Sequence, residues 1–266
     1  MIPEDSSDVV RSTELTRFRL APNPGPMSLH GTNSYVIAAP GSASTVVVDP
    51  GPLDGQHLQE LADAGPVELI LITHRHADHT AAAARFAGIT GAPVRAADPA
   101  HCHGGSPLKG GEVLHAAGVE IRVLATPGHT SDSVCFHLPH DGAHGSVLTG
   151  DTILGLGTTV LDYPDGTLAD YLASLDRLEP LGAATVLPAH GPMLPALDKV
   201  VRAYRDHRQD RLAQIRSALA DLGAGAGVED VADAVYADVD PAVRPAAELS
   251  VAAQLDYLRS GGSTPW

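Results

Sequence analysis

The sequence predicts an α+β protein with a mainly helical C-terminal appendage. Three observations carry that reading. Residues 44–49 and 67–73 are continuous β-branched and aliphatic runs, as suits strands buried on both faces. Stretches at helical spacing alternate with such runs, as in residues 167–178, apolar at 168, 171, 172, 175 and 178. Past Pro195 the strand signal fades and helical spacing takes over.

In chain order, residues 31–38 read as a turn and a short strand. The run 44–49 is a strand stopped by Pro50-Gly51-Pro52. Residues 56–64 form a short helix, and the strand 67–73 ends abruptly in His74-Arg75-His76-Ala77-Asp78-His79. An Ala-rich helix over 80–87 follows, closed by Gly88. Residues 93–96 are a short strand. Residues 112–114 and 119–124 pair as a hairpin across Ala116-Ala117-Gly118. Residues 133–138 and 146–149 form a second pair around a polar loop. The helix 167–178 and a last short strand, 185–188, complete this part. Residues 197–222 then read as one long helix, and Ala224-Gly225-Ala226-Gly227 breaks the chain before helical patterns over 228–236 and 241–260. A boundary near 196 divides the chain into 1–195 and 196–266.

Composition narrows the function. Seventeen Lys and Arg stand against 32 Asp and Glu, a formal charge of −15 over 266 residues. A basic nucleic-acid module is excluded as a global description, because phosphate repels an acidic surface. With 44% hydrophobic and 18% charged residues, the chain buries a core rather than staying disordered. No stretch has the length and apolarity of a membrane span. Cys102 and Cys135 give no disulfide framework, and the acidic start Met1-Ile2-Pro3-Glu4-Asp5 has no signal-peptide pattern. The expected location is therefore cytoplasmic. Both cysteines read as packing residues.

Histidine is the unusual count, 14 in all. Most follow no pattern. Residues 74–79, however, offer His74, His76, Asp78 and His79 as ligands directly after a buried strand that holds the loop in place. His74 and His76 project to one side of an extended segment, while Asp78 and His79 enter the next helix. Imidazole with a hard carboxylate suits zinc, or iron or manganese, and the absence of thiolate argues against a purely structural zinc site. Three more candidates end short strands: His129 in Thr126-Pro127-Gly128-His129, Asp151 in Thr149-Gly150-Asp151, and His190 in Ala189-His190-Gly191. A lone His beside a turn is usually ordinary loop. The joint pattern, in this order, is not a chance outcome.

These motifs resemble those of the metallo-β-lactamase-fold hydrolases, the group that includes glyoxalase II and tRNase Z, over residues 30–195. The resemblance implies a four-layer αββα sandwich with a dinuclear metal site at one edge, two zinc ions or other divalent metals. It assigns His74, His76 and His129 to one metal, Asp78, His79 and His190 to the other, and Asp151 as a bridge. A metal-bridging hydroxide would attack a carbonyl or phosphoryl centre, with Asp78 as the catalytic carboxylate that holds the nucleophile or relays its proton. True zinc β-lactamases commonly carry Cys where Asp151 stands, so lactam hydrolysis is not the expected native role. The motif Asp151-Thr-Ile-Leu-Gly-Leu-Gly-Thr-Thr159, Ala189-His-Gly-Pro192 and the helical tail are similar to the β-lactamase-like-protein-2 branch. That branch implies a winged-helix-like C-terminal domain. It includes a single-strand-specific endoribonuclease, and related fungal proteins are thioesterases on carrier-bound polyketides.

Substrate choice rests on thinner signals. The loop Gly155-Leu-Gly-Thr158-Thr159 either contacts substrate or is a flexible connection. The long helix carries Lys199, Arg202, Arg205, Arg208, Arg211 and Arg216, either as a solvated face or, through His207 and Arg208, as a clamp for a substrate carboxylate or phosphate. The expected partner is a small ester or thioester substrate. Single-stranded RNA is the alternative, disfavoured by the −15 charge and by 4% aromatic content. A DNA-reading sensor is a third reading, and residues 228–266 oppose it with two Arg against seven acidic residues. The tail is expected to pack beside the metal site and shape access to it, or to support a homodimer.

Overall fold

A computed structural model describes residues 9–261. The acidic start, residues 1–5, lies outside the described residues. The first sheet contains β1 (Val10–Arg11), β2 (Thr16–Leu20), β3 (Asn33–Ile37), β4 (Thr45–Val48), β5 (Val67–Leu71) and β6 (Val94–Arg95), side by side in chain order. Its first three pairings are antiparallel and the last two parallel. Helices α1 (Gly55–Asp63), α2 (Ala77–Thr80) and α3 (Ala83–Thr90) connect its later strands. The second sheet contains β7 (Val113–Ala116), β8 (Val119–Ala125), β9 (Val134–Leu138), β10 (Ser146–Gly150) and β11 (Thr185–Pro188), in the spatial order β11-β10-β9-β8-β7. Then come α4 (Leu168–Leu178), α5 (Leu197–Leu222), α6 (Val228–Val235) and α7 (Arg244–Arg259).

The period-2 geometry of strands turns these runs into four layers. Tyr35, Ile37, Val46, Val48 and Leu71 face Ile121, Val123, Phe136 and Leu148 across the gap between the sheets. Their alternating neighbours Val36, Val47 and Ile70 face outward, onto Leu58 and Leu61 of α1 and Phe86 of α3. On the far side Cys135, Val147 and Val186 point outward onto Tyr171 and Leu175 of α4 and Leu197, Val201 and Tyr204 of α5. Helix, sheet, sheet, helix is the αββα order that the family resemblance implies. Burial of both faces is why the strands read as unbroken apolar runs.

Several elements differ from expectation. β2 was unforeseen, although Thr16-Arg-Phe-Arg-Leu20 alternates in the strand manner. Phe18 packs against the inter-sheet core, and Arg19 pairs with Glu60. The helix expected over 80–87 is two helices. Gly88 lies inside α3, and the turn is closed by Gly91 at φ +73°, whose N–H donates to Ala87 O. α5 runs over the predicted residues 197–222. Its first part belongs to the outer face of the second sheet, while Ile215 and Ala218 join Val231, Val251 and Leu255 in a separate small core with α6 and α7. Between 196 and 261 every helix or strand described is a helix, so among the described residues no strand supplies a wing. Among the described residues no helix is long and apolar enough to cross a membrane.

Candidate metal centre

Strand ends place the cluster. β5 delivers Thr73 and His74, α2 carries Asp78 and His79, β10 ends in Gly150 just before Asp151, and β11 runs out into His190. Gly150 is required at its position: it sits at φ +50°, and a Cβ there would lie 2.7 Å from Thr73 Cβ. The register between β10 and β11 shifts at the same point, which turns Asp151 into the centre.

All seven sequence-predicted ligands come together. His76 Nδ1 lies 3.1 Å from His74 Nε2 and 3.0 Å from His129 Nε2. His190 Nε2 lies 3.2 Å from Asp78 Oδ2, and His79 Nε2 lies 3.5 Å from the same oxygen. Asp151 stands between the two groups. Its Oδ2 is 3.7 Å from His129 Nε2, and its Oδ1 is 3.3 Å from His190 Nε2. Within each of the sets His74/His76/His129, His74/His79/Asp151 and Asp78/His79/His190 the donor atoms lie within 4.8 Å of one another.

The outer ring atoms fix which nitrogen faces inward. His129 Nδ1 is 2.6 Å from Val160 O, and His190 Nδ1 is 3.0 Å from Gly31 O. A carbonyl only accepts, so both rings carry their proton on Nδ1 and offer bare Nε2 to the centre. His79 Nδ1 meets Asp49 Oδ2 at 2.9 Å. Thr73 Oγ1 donates to that same Asp49 oxygen at 2.7 Å, which leaves it to accept from His74 Nδ1 at 3.1 Å. His76 is reversed: its Nε2 faces Asp162 Oδ2 at 3.2 Å, and its Nδ1 faces the centre. Arg75 pins that Asp162 carboxylate.

Three supports were therefore not foreseen from sequence: Asp49, Thr73 and Asp162. Asp49 ends the apolar run 44–49, and only the fold shows it buried there, 2% exposed at φ +51°. Asp162 lies in the irregular loop after Asp151, where no sequence signal marks it. The Gly31-Thr32-Asn33 turn also reaches the site. Asn33 Nδ2 donates to Pro188 O and Gly191 O at 2.9 Å each, clipping the turn that carries His190.

The donor set fits divalent metal. His79 Nε2, His190 Nε2 and Asp151 Oδ1 are buried without a hydrogen-bond partner among the described residues. Burial, then neighbouring His79 and His129, pushes the His74 pKa well down, and burial lowers that of His129. Burial opposes charge on His79 and His190 as well. There the carboxylates prevail, Asp49 foremost at His79 and Asp151 at His190, and both pKa values are raised. Asp78 is held far below the usual carboxylate range: burial works against this, and the His190 and His79 contacts outweigh it. The cluster thus attracts positive charge, and a divalent cation would replace those protons.

The four residues expected to touch substrate fall differently. Thr158 Oγ1 is 3.2 Å from His207 Nε2, and both are partly exposed. Thr159 and Arg208 are only 2% and 3% exposed. Arg208 donates to Thr159 O and lies 4.9 Å from the Tyr171 ring centroid, so its guanidinium braces the loop instead of standing on an open helix face. Nor is residues 155–159 a slack connection. Gly155 N donates to His190 O at 2.8 Å, and Tyr204 Oη accepts from Leu154 N at 2.9 Å. Cys102 and Cys135 are not ligands. Cys135 sits in the core, its thiol pushed up to about 11 by burial.

Fold and site together define a hydrolase of the β-sandwich type with a His/Asp centre able to bind divalent metal. The metallo-β-lactamase superfamily model matches residues 27–190. The chain is 32% identical over 270 residues to a β-lactamase-like protein 2 homologue of Caenorhabditis elegans, covering 94% of this chain and 86% of that one. It is 30% identical over 230 residues to an atrochrysone carboxyl ACP thioesterase of Aspergillus fumigatus, covering 83% and 70%. A β-lactamase domain protein from Burkholderia ambifaria superposes with a TM-score of 0.80 at 21% identity, covering 98% and 91%. The chain belongs to the metallo-β-lactamase superfamily and is a hydrolase of that superfamily.

Proposed function

We propose that the protein is a dinuclear, zinc-dependent hydrolase of small ester or thioester substrates. The observation that carries this is the pair of facing donor sets joined by Asp151, with His79 Nε2, His190 Nε2 and Asp151 Oδ1 buried and making no hydrogen bond among the described residues. His74, His76 and His129 would hold one ion, Asp78, His79 and His190 the second, and Asp151 would contact both. Bound metal supplies a water-derived nucleophile at neutral pH and polarises the scissile carbonyl. Asp78 is the more open of the two carboxylates, its side chain 33% exposed against 11% for Asp151. It is therefore the group placed to take the proton from the attacking water and pass it on. Asp49, Thr73 and Asp162 hold the rings in the tautomers this requires. In this reading 1–195 carries the chemistry and 196–266 shapes access to it.

Acyl transfer to water is favoured over phosphodiester cleavage by the thioesterase name of the A. fumigatus relative and by the −15 charge. The test is a side-by-side assay of zinc-loaded protein on a panel of acyl thioesters and on fluorescent single-stranded RNA. A chelator and the double variant His76→Ala/His79→Ala serve as controls. Thioester turnover that disappears in both controls, without RNA cleavage, is expected. RNA cleavage lost in both controls would replace this reading with the endoribonuclease one.

A further inference from the structure

A cavity of about 210 Å³ lies where the loop after Asp151 meets α5 and α7. One wall is polar and basic: Thr158, His207, Arg208 and Arg211. Tyr236, Val239, Val243 and Ala246 add apolar surface to the lining. Among the described residues no Asp or Glu lines it, although the chain carries 32 of them, and two other surface cavities are both lined by Glu14. Neither Arg208 nor Arg211 makes an ion pair among the described residues. Arg211 lies 4.3 Å from the Tyr236 ring centroid and donates only to the neutral Gln214 Oε1 at 2.7 Å. Arg208, 3% exposed, has an Nε–H without an acceptor. The arginines of several surface clusters are arranged otherwise: Arg75, Arg95, Arg205 and Arg244 each face a carboxylate.

We infer that this cavity binds a small organic carboxylate with an apolar body, the acid group at Arg211 and the body against Tyr236 and Val243. Two guanidinium groups without a carboxylate partner, in a partly desolvated wall, favour an anion. The apolar surface favours carbon over inorganic phosphate. The volume exceeds the roughly 150 Å³ of an engineered cavity that takes up benzene, enough for an acid the size of phenylacetate. His207 adds a neutral hydrogen-bonding group, since burial and the flanking Arg208 and Arg211 lower its pKa. The cavity also touches the metal cluster through one strip of backbone. Thr158, Thr159 and Val160 line it, and Val160 O is the acceptor that orients His129. The inference deepens the hydrolase reading by naming an acidic, partly apolar ligand beside that site. The shared chemistry has two sources, the free acid end of a substrate or a separate effector acid.

Phenylacetate is the probe, titrated calorimetrically into the folded, metal-free His76→Ala/His79→Ala protein. Metal cannot capture the acid there, and no turnover is needed, so the outcome is independent of whether the hydrolase assignment holds. Saturable one-site binding is expected, weakened tenfold or more by Arg211→Gln and abolished by the cavity-filling Ala246→Phe. Neutral 2-phenylethanol and inorganic phosphate should each bind at least tenfold more weakly. Absence of saturable binding to the folded protein overturns the inference. So does unchanged affinity in Arg211→Gln, or phosphate binding as tightly as phenylacetate. With metal-loaded wild type, competitive inhibition of hydrolysis assigns the acid to the substrate, and noncompetitive inhibition assigns it to an effector.

Discussion

Asp49 shows how much of the centre depends on residues that touch no metal. One carboxylate accepts from Thr73 N, Thr73 Oγ1 and His79 Nδ1, and so sets two imidazoles at once. Asp49→Ala would leave those donors buried and unpaired, at a cost of about 1–3 kcal/mol each before relaxation. It should also weaken metal binding by roughly 10–100-fold; denaturant unfolding and zinc competition titration measure the two effects. His57 in α1 is 1% exposed, and its Nε2 faces Ser34 Oγ at 2.9 Å. Burial, then Arg19, lowers its pKa to about 4 from 6.5. Its folded pKa lies below the unfolded one, so its contribution is fully present above pH 6.5 and is lost as pH falls towards 4. That loss is about 3 kcal/mol. His57→Gln should flatten the stability profile between those limits in denaturation series run at stepped pH. At this scale the ligands were legible because six adjacent residues concentrate four donors and the other three each follow a short strand. Their supports were not. Asp162 is separated by more than eighty residues from the His76 it faces, and nothing local marks it.

Elements were legible where both faces of a strand are buried and where helical spacing is long. β4, β5 and α5 fall close to the residues expected. The expectation failed where a stop signal had a weaker competitor. Gly88 has open space around it and is tolerated inside α3, whereas Gly91 takes the left-handed turn. In β2 arginines at alternate positions weaken the apolar alternation, although Thr16, Phe18 and Leu20 share one face. The loop after Asp151 carries the clearest element-scale prediction. A Cβ on Gly155 would lie 2.1 Å from Pro192 O, backbone that cannot turn aside. Gly155→Ala should therefore push the loop off the His190 turn and destabilise the protein by more than about 2 kcal/mol. Thermal unfolding checks this. A neutral substitution would mean that the loop is not packed on that turn.

At the scale of the molecule, the four layers follow from sheets buried on both sides, and the cluster sits where strand ends from both sheets converge. Strand and helix patterns alone indicated only α+β. The layer order came from the likeness of the metal motifs to a known family. The C-terminal part was least legible, because its helices carry few distinctive residues and α5 serves two cores at once. Seven side chains, four of them from residues 74–79, converge as facing donor sets joined by Asp151, the centre proposed above to hold two metals. The most direct test is elemental analysis of zinc-saturated protein after gel filtration. The expected result is about two zinc ions per chain, falling to near zero in a folded His76→Ala/His79→Ala variant. Folded wild-type protein that retains no metal, or a variant that retains as much as wild type, would contradict that proposal.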